Sequence, residues 1–333
     1  MSLPDPSPVI DLIEAFRRSK TMFAAVSLGV FEQTPGTAAE IAKRIGADPE
    51  AAARLLDGCA ALGFLRKETG VYSNTAVAEH YLRAGGPHTL RGYIRYSDEA
   101  LYPMWAHLDD AVREGSHRWR QTFGLDGAIF SHFFRTEEAM RDFLLGMHGF
   151  GMLTSPAVVA AFDLGGFRRL ADLGGATGHL AIAACERYPE LHGVVQELPP
   201  VVPHAREQVA KSVARDRIEV VAGDFFEDEL PEADLFALGQ VLHDWTGEKI
   251  ARLLLRIHRR LPPGGGLLIA ERLLDDDGAG PAPAVMQSLN MLICTEGRER
   301  SPGEYEVLLR EAGFREVGFR RTGTPRDAVF ARK

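Results

Sequence analysis

The feature that most constrains the fold is the alternation of strand and helix patterns that begins near residue 168. Short apolar runs typical of buried strands alternate with runs of helical period, and turn residues separate them. The expected strands are 170–172, 193–197, 218–222, 235–238 and 266–270, and the expected helices are 180–188, 201–212 and 248–261. This alternation predicts an open, largely parallel α/β sheet, which binds ligands beyond the carboxyl ends of its strands.

A glycine-rich segment, DLGGATG at residues 172–178, lies between the first of these strands and its helix. Glycine lets the chain turn sharply and lets a ligand approach the backbone closely. The residues of this turn that we expect to bind a cofactor are Asp172, Gly174, Gly175 and Gly178. Packing alone also produces such a pattern, so the interpretation depends on the neighbouring strand ends.

Two further strand ends carry residues suited to adenosine. Glu197 ends the second strand, where a carboxylate can bind ribose hydroxyls. Asp224 and Phe225 follow the third strand, where they can accept from an exocyclic amine and stack on a purine. The three strand ends predict an adenosine-containing cofactor and leave nicotinamide dinucleotide and S-adenosylmethionine both open. The turn lacks the Gly-x-Gly-x-x-Gly spacing of dinucleotide binders, which favours S-adenosylmethionine modestly.

His243 follows the fourth strand and is therefore expected to face the ligand crevice. With an ordinary pKa near 6.5 it would be a neutral base at pH 7. Such a base helps a phenolic hydroxyl, whose pKa is roughly 10, to attack a methyl sulfonium. A carboxylate often orients a histidine base, and the candidates are Asp244, Glu271 and Glu299.

The first third of the chain has the helix–turn–helix–wing order of a winged helix. Its expected elements are helices at 9–28, 37–45 and 49–62 and a hairpin with strands at 64–67 and 71–73. A DNA-recognition helix needs exposed basic and polar side chains. The second helix of the pair offers one base, Arg54, against Glu50 and Asp57. We therefore expect this domain to pack against protein in a dimer and not to bind DNA.

Residues 88–160 form a connector that is helical in pattern and rich in aromatic side chains. Two compatible interpretations stay open: hydrophobic packing between two domains, and an aromatic wall for a flat substrate. The predicted domains are a dimerisation domain at 1–95 and a connector with a cofactor-binding domain at 96–333.

Composition limits the partners and the compartment. The net charge of -8 over 333 residues argues against a nucleic-acid partner. The three cysteines lie far apart, which opposes a disulfide framework or a zinc site. The start of the chain does not look like a signal peptide, and no run reaches the roughly 20 apolar residues of a membrane span. We expect a cytoplasmic protein without membrane contact.

Six segments in fixed order resemble the small-molecule O-methyltransferases, a class that includes the caffeate-type and acetylserotonin-type enzymes. The chain is most similar to the acetylserotonin type, and the resemblance covers nearly its whole length. The segments are 171–181, 222–226, 241–245, 288–292, 295–301 and 327–333.

The resemblance implies a seven-stranded Rossmann-like class I methyltransferase domain, preceded by an α-helical winged-helix domain that forms a homodimer. It implies S-adenosylmethionine as cofactor, S-adenosylhomocysteine as product, a small hydroxylated acceptor and no metal. The base falls on His243, with Glu271 and Glu299 as its flanking acids. Cofactor contacts fall on Gly174, Glu197, Asp224 and Phe225, and acceptor contacts fall on Asp244, Asn290 and Met291.

The sequence departs from the acetylserotonin type at positions near the acceptor and the cofactor. Gln240 stands where those enzymes carry arginine, and Cys294 stands where they carry glutamine. Two aromatic connector positions that touch the cofactor in those enzymes fall on Phe134 and Gly151. We expect Gln240 to contact the cofactor, and Cys294 and Phe134 to contact the acceptor. Because of these departures, acetylserotonin is not predicted as the acceptor.

Three other functions fit the sequence less well than O-methylation. The same fold and cofactor could serve N- or C-methylation or a non-methylating reaction, which the intact set of His243, Glu271 and Glu299 opposes. The second alternative is a regulatory binding module, which the acidic and apolar helix at 49–62 opposes. The third is a nicotinamide oxidoreductase, which the glycine spacing of the turn opposes.

Overall fold

A computed structural model describes residues 3–86 and 88–333 of the chain. The chain divides into two compact units, residues 1–100 and 101–333. The sequence placed the boundary between residues 95 and 96.

The first unit is helical and contains one small antiparallel sheet. Its helices are α1 (Ser7–Ser27), α2 (Ala38–Ile45), α3 (Pro49–Ala61), α4 (Ala76–Tyr81) and α5 (Arg91–Tyr96). Its strands are β1 (Gly36–Thr37), β2 (Leu65–Glu68) and β3 (Val71–Asn74), paired in the order β1-β3-β2. The order of helices followed by a hairpin confirms the winged-helix prediction.

Local chemistry explains where these helices begin. The Thr37 hydroxyl accepts from the backbone N–H of Glu40, and the Glu40 carboxylate accepts from the backbone N–H of Thr37 at 2.8 Å, a complete capping box. Asp48 caps α3 by accepting from Ala51, and Pro49 occupies the first turn, where its missing N–H costs nothing. Both helix starts were predicted from these residues.

The second unit begins with five helices and continues as an α/β domain. The first five helices are α6 (Tyr102–Trp105), α7 (Leu108–Glu114), α8 (Trp119–Phe123), α9 (Ile129–Phe133) and α10 (Glu137–Ala160). The strands are β4 (Arg169–Leu173), β5 (His192–Glu197), β6 (Ile218–Ala222), β7 (Leu235–Gly239), β8 (Gly266–Glu271), β9 (Arg315–Arg320) and β10 (Asp327–Arg332). The remaining helices are α11 (His179–Arg187), α12 (Val202–Val209), α13 (Gly247–Arg260), α14 (Ala282–Cys294) and α15 (Pro302–Glu311).

Within the described residues of this unit the seven strands form one sheet in the order β6-β5-β4-β7-β8-β10-β9. The first five are parallel, and β10 runs antiparallel to both β8 and β9. Each face of the sheet is covered by its own apolar core, one including α11 and the other α13. The predicted seven-stranded Rossmann-like sheet is confirmed.

Helix α10 is long and apolar enough, by length and composition, to pass a test for membrane-spanning helices, and it is the one such helix in the part of the chain that the structure describes. A core helix of a soluble protein passes the same test. Its residues Leu144, Val158 and Val159 are buried inside the fold.

Candidate active site

The site lies where the order of successive strands in the sheet reverses. β4 pairs with β5 on one side and with β7 on the other. The strands β5 and β6 extend the sheet from β4 to one side, and the strands from β7 onward extend it to the other side. Ligands of open α/β sheets bind at such a switch point, beyond the carboxyl ends of the strands. The glycine turn follows β4, and the segment that carries His243 follows β7.

Two glycines of the turn are required by close contacts. Gly174 has a left-handed φ of +64°, and a Cβ there would lie 3.1 Å from Cε1 of Phe225. A Cβ at Gly175 would lie 2.6 Å from Cγ of Asp172. The turn can therefore hold its shape only without side chains at these positions. Gly178 follows them and precedes α11.

Asp172 supports the turn from inside the protein. Its side chain is fully buried, and Oδ2 accepts from the backbone N–H of Ala181 at 3.2 Å. Burial raises the pKa of Asp172 to about 7. The sequence grouped Asp172 with the cofactor contacts, whereas the structure places its carboxylate against α11 and beneath Gly175.

Glu197, at the end of β5, also supports the glycine turn. Its Oε1 accepts from the N–H of Ala176 at 2.9 Å, and its Oε2 accepts from the N–H of Leu198 at 2.7 Å. Burial raises the pKa of Glu197 to about 7. Because each carboxylate oxygen can accept more than one hydrogen bond, Glu197 keeps capacity for ribose hydroxyls while it holds Ala176.

The end of β6 folds back toward the turn. Asp224 Oδ1 accepts from the N–H of Phe226 at 2.8 Å, which shapes the bend. The ring of Phe225 lies against Gly174 and 4.8 Å from the ring of Phe226. The structure thus brings together the glycine turn and the two strand ends that the sequence singled out.

His243 lies in the buried 3-10 turn Leu242–Asp244. Its Nδ1 lies 2.8 Å from Oε1 of Glu299 and 3.2 Å from Oε2 of Glu271. Carboxylates only accept when ionised, so Nδ1 carries the proton and donates to Glu299, while Oε2 of Glu271 is a close charged neighbour. Oε1 of Glu271 also accepts from the N–H of Leu242 at 3.0 Å. This arrangement leaves Nε2, which lies 3.7 Å from Oδ1 of Asp244, as the nitrogen that can take a proton.

The surroundings of His243 change its titration. Burial alone lowers its pKa, but the charges of Glu271, Glu299 and Asp244 outweigh burial and raise the pKa of His243 to about 10. The ordinary pKa near 6.5 used in the sequence analysis is therefore wrong, because three carboxylates surround the ring. At that pKa the ring is protonated on both nitrogens at pH 7, so Nε2 must release its proton before it can act as a base, and the neutral ring is then about as strong a base as a phenolate, whose conjugate acid has a pKa of roughly 10.

A titration followed by NMR tests this shift. We expect the His243 ring resonances of the cofactor-free protein to stay constant through neutral pH and to titrate near pH 10. Replacing Glu299 by glutamine removes one of the three charges, so the midpoint should move to lower pH. Glu304→Gln serves as the control, because Glu304 pairs with Arg298. A wild-type midpoint near 6.5 would contradict the shift.

Sequence reasoning missed two residues behind the His243 segment. Arg300 is buried and donates to the carbonyls of Leu242 and Trp245, both at 3.2 Å. A Cβ at Gly297 would lie 2.2 Å from the carbonyl oxygen of His243. Both residues belong to the segment TEGRERS at 295–301, in which only Glu299 was predicted to act in the site.

Helix α14 carries three of the predicted acceptor residues, Asn290, Met291 and Cys294, and all three are buried. Trp105 Nε1 donates to Asn290 Oδ1 at 2.9 Å. Trp119 Nε1 donates to the carbonyl of Cys294 at 2.8 Å. Two connector tryptophans therefore hold this helix, a contact between distant segments that no local pattern indicates.

Phe134 packs on the glycine turn, and Gln240 begins the segment that leads from β7 to His243. Phe134 packs in an apolar cluster with Leu144 and with Ala176 of the glycine turn. Gln240 directly follows β7 with a left-handed φ of +56°, and its N–H donates to the carbonyl of Ala270 at 2.9 Å. Phe134, which the sequence grouped with the acceptor contacts, thus lies against the glycine turn.

The comparisons with known proteins agree with this geometry. Residues 105–315 match the O-methyltransferase domain, and residues 10–84 match the O-methyltransferase dimerisation domain. The chain therefore belongs to the O-methyltransferase family, as a Rossmann-like enzyme that uses S-adenosylmethionine as cofactor and a small molecule as substrate.

Individual relatives align over almost the full chain. Acetylserotonin O-methyltransferase of Bos taurus is 42% identical over 328 residues, which are 96% of this chain and 95% of that protein. The crystal structure of human N-acetylserotonin methyltransferase with S-adenosylmethionine superposes with a TM-score of 0.95 at 38% identity, covering 100% of this chain and 99% of that one. PigF, solved with S-adenosylhomocysteine, gives 0.89 at 30% identity, covering 99% and 100%.

The residues present fit that cofactor. Gly174 leaves its backbone without a Cβ where the turn meets Phe225, and the Glu197 carboxylate stands at the end of β5. The side chains of His243, Glu271 and Glu299 also offer ligand atoms within 4.8 Å of one another, as a metal site would. The hydrogen bond from Nδ1 to Glu299 accounts for this grouping without an ion.

Proposed function

We propose that His243 is the general base of this O-methyltransferase and that the acceptor is the hydroxyl of a small, flat aromatic molecule. The observation that carries the proposal is the hydrogen bond from Nδ1 of His243 to Glu299, at 2.8 Å, in a fully buried site. It orients the ring, so that Nε2, once it has released its own proton, can take the proton of the hydroxyl.

Glu271 and Glu299 stabilise the positive charge that the ring then carries, as their effect on its pKa indicates. S-adenosylmethionine, when bound, supplies a methyl group on a positively charged sulfur. General-base help of this kind is typically worth about 10²–10⁴ in rate, and much of the remaining acceleration comes from positioning.

We assign the cofactor contacts to the glycine turn and the two strand ends beside it. Gly174 and Gly175 would let the cofactor approach the backbone, and Asp172 and Gly178 would act on it through the shape of the turn. Glu197 would bind the ribose, and Asp224 and Phe225 would bind the adenine. Gln240, which follows β7, would also contact the cofactor.

We assign the acceptor contacts to α14 and to the segment beside His243. The proposed residues there are Asp244, Asn290, Met291 and Cys294, and Phe134 would contact the acceptor from the side of the glycine turn. The similar enzymes are named for acetylserotonin. That substrate is not carried over to this chain, because Gln240 and Cys294 replace the arginine and glutamine of the acetylserotonin type.

The experiment is a labelled-methyl assay. The protein is incubated with S-adenosylmethionine that carries a ¹³C methyl group and with a panel of phenols, hydroxyindoles, flavonoids and aromatic amines. We expect the label on an oxygen of at least one aromatic acceptor. A label on nitrogen or carbon alone would replace O-methylation by the alternative chemistry, and cofactor binding without any transfer would reject the proposal.

We also propose that the chain forms a homodimer through its dimerisation domain. The first half of α1 exposes a row of apolar side chains, which solvent-facing helices of monomers rarely do. These residues are Val9, Ile10, Leu12, Ile13 and Phe16. The acidic composition further leads us to propose that the protein does not bind nucleic acid. From its O-methyltransferase fold we also propose a cytoplasmic location without membrane contact.

Light scattering coupled to size-exclusion chromatography tests the dimer. We expect twice the chain mass for the wild type and a shift toward the monomer mass for Leu12→Glu, because a charge in an apolar interface is costly. Val213→Glu is the matched control, since Val213 is an exposed apolar residue of the other unit. A monomeric wild type, or a Leu12→Glu variant that stays dimeric, would contradict this interface.

A further inference from the structure

Helix α10 presents one stripe of residues to the glycine turn. The stripe consists of Met140, Leu144, His148, Gly151 and Ser155. These positions recur every three or four residues and so lie on one face of the helix. Met140 and Leu144 belong to one apolar cluster with Ala176 of the turn. The rest of the stripe meets the residues that close the turn.

Two side-chain hydrogen bonds join the stripe to these closing residues. Nδ1 of His148 lies 2.8 Å from Oγ1 of Thr177, and Oγ of Ser155 lies 2.9 Å from Nδ1 of His179. Thr177 and His179 stand on either side of the residue where the turn passes into α11. Burial lowers the pKa of His148 to about 4 and that of His179 to about 3, so both rings are neutral at pH 7.

Gly151 lies between the two bonds and allows the closest approach. A Cβ at Gly151 would lie 2.3 Å from Cγ of His179. The ring of His179 therefore packs directly on the backbone of α10, and a larger residue at position 151 would displace it.

The turn needs such support because its backbone is unfavourable by itself. Ala176 has a left-handed φ of +51°, a region that non-glycine residues rarely adopt. Glu197 holds Ala176 from the side of β5. The bonds from α10 hold Thr177 and His179, the residues on either side of Gly178, so the two sets together fix consecutive parts of the turn.

We propose that α10 holds the glycine turn in its cofactor-binding shape through the His148–Thr177 and Ser155–His179 hydrogen bonds. His148 and Ser155 are then positioning residues for S-adenosylmethionine. The inference rests on the cofactor site and is independent of the role of His243 as base.

Calorimetric titration with S-adenosylhomocysteine tests it, because this ligand reports binding without methyl transfer. Loss of one neutral hydrogen bond should weaken binding about threefold to tenfold in His148→Leu, Thr177→Val and Ser155→Ala. The double variant of His148→Leu and Thr177→Val should bind no more weakly than either single variant, since both remove the same bond. Thr177→Ser, which keeps the hydroxyl, should restore wild-type affinity.

Thr154→Val is the matched control. Thr154 is a buried residue of the same helix, but its hydroxyl bonds to the carbonyl of Phe150 within α10 and does not reach the turn. We expect Thr154→Val to bind S-adenosylhomocysteine within about twofold of the wild-type affinity, even if the substitution lowers the Tm. The inference is overturned if His148→Leu and Ser155→Ala lower the Tm but bind with wild-type affinity, or if the double variant shows additive losses. A failed methyl-transfer assay with normal ligand binding would count only against the base role of His243.

Discussion

Replacing His243 by asparagine is expected to lower kcat by about 10²–10⁴ for a phenolic acceptor while leaving cofactor affinity unchanged. The variant removes Nε2, the nitrogen that takes the proton, but it keeps an N–H donor for Glu299. Asparagine therefore avoids leaving the buried Glu299 carboxylate without its hydrogen-bond donor, which would destabilise the protein. Steady-state rates at saturating cofactor, together with a titration of S-adenosylhomocysteine, measure the two effects separately.

His192→Asn is the matched control for that prediction. His192 is an exposed residue at the amino end of β5, opposite the strand ends that form the site. Its replacement should change neither rate nor binding. A His243→Asn variant with near wild-type kcat would reject the general-base role.

The second large effect is expected at Glu197. Glu197→Ala should weaken S-adenosylhomocysteine binding by about 100-fold, because hydrogen bonds to a charged group contribute about 1.5–3 kcal/mol each. The variant also removes the oxygen of Glu197 that accepts a hydrogen bond from the backbone N–H of Ala176 at 2.9 Å. Calorimetric titration measures the affinity directly.

Glu219→Ala provides the control for Glu197. Glu219 is an exposed carboxylate on β6 whose nearest ion-pair partner, Arg169, is 3.9 Å away. Its loss should leave the affinity unchanged. A Glu197→Ala variant that binds within threefold of the wild type would remove Glu197 from the cofactor site.

Local patterns predicted the elements that carry the site. The five parallel strands are apolar runs separated by turn residues, and the glycine turn and His243 each follow such a strand directly. Periodicity alone therefore places them at one edge of the sheet. The capping residues Thr37 and Asp48 likewise mark their own helix starts, because a cap acts within three residues.

Other features depend on contacts between distant segments. The last two strands, β9 and β10, were not predicted from the residue pattern. β9 alternates only weakly, and β10 is set by its pairing with β8. The raised pKa of His243 requires Glu271 and Glu299, which lie 28 and 56 residues away in sequence. The contacts of α10 with Thr177 and His179 also join separate segments, so no local pattern indicates them.

The dependence of rate on the acceptor's own pKa tests the role of His243 most directly. Once one phenolic acceptor is found, derivatives with electron-withdrawing substituents lower the pKa of its hydroxyl below 7, and the wild type is compared with His243→Asn for each. A base matters only while the hydroxyl still holds its proton. We expect the variant to lose about 10²–10⁴ in kcat with acceptors whose pKa is roughly 10, and little with acceptors already ionised at the assay pH. An equal loss for ionised and un-ionised acceptors would contradict proton transfer to His243.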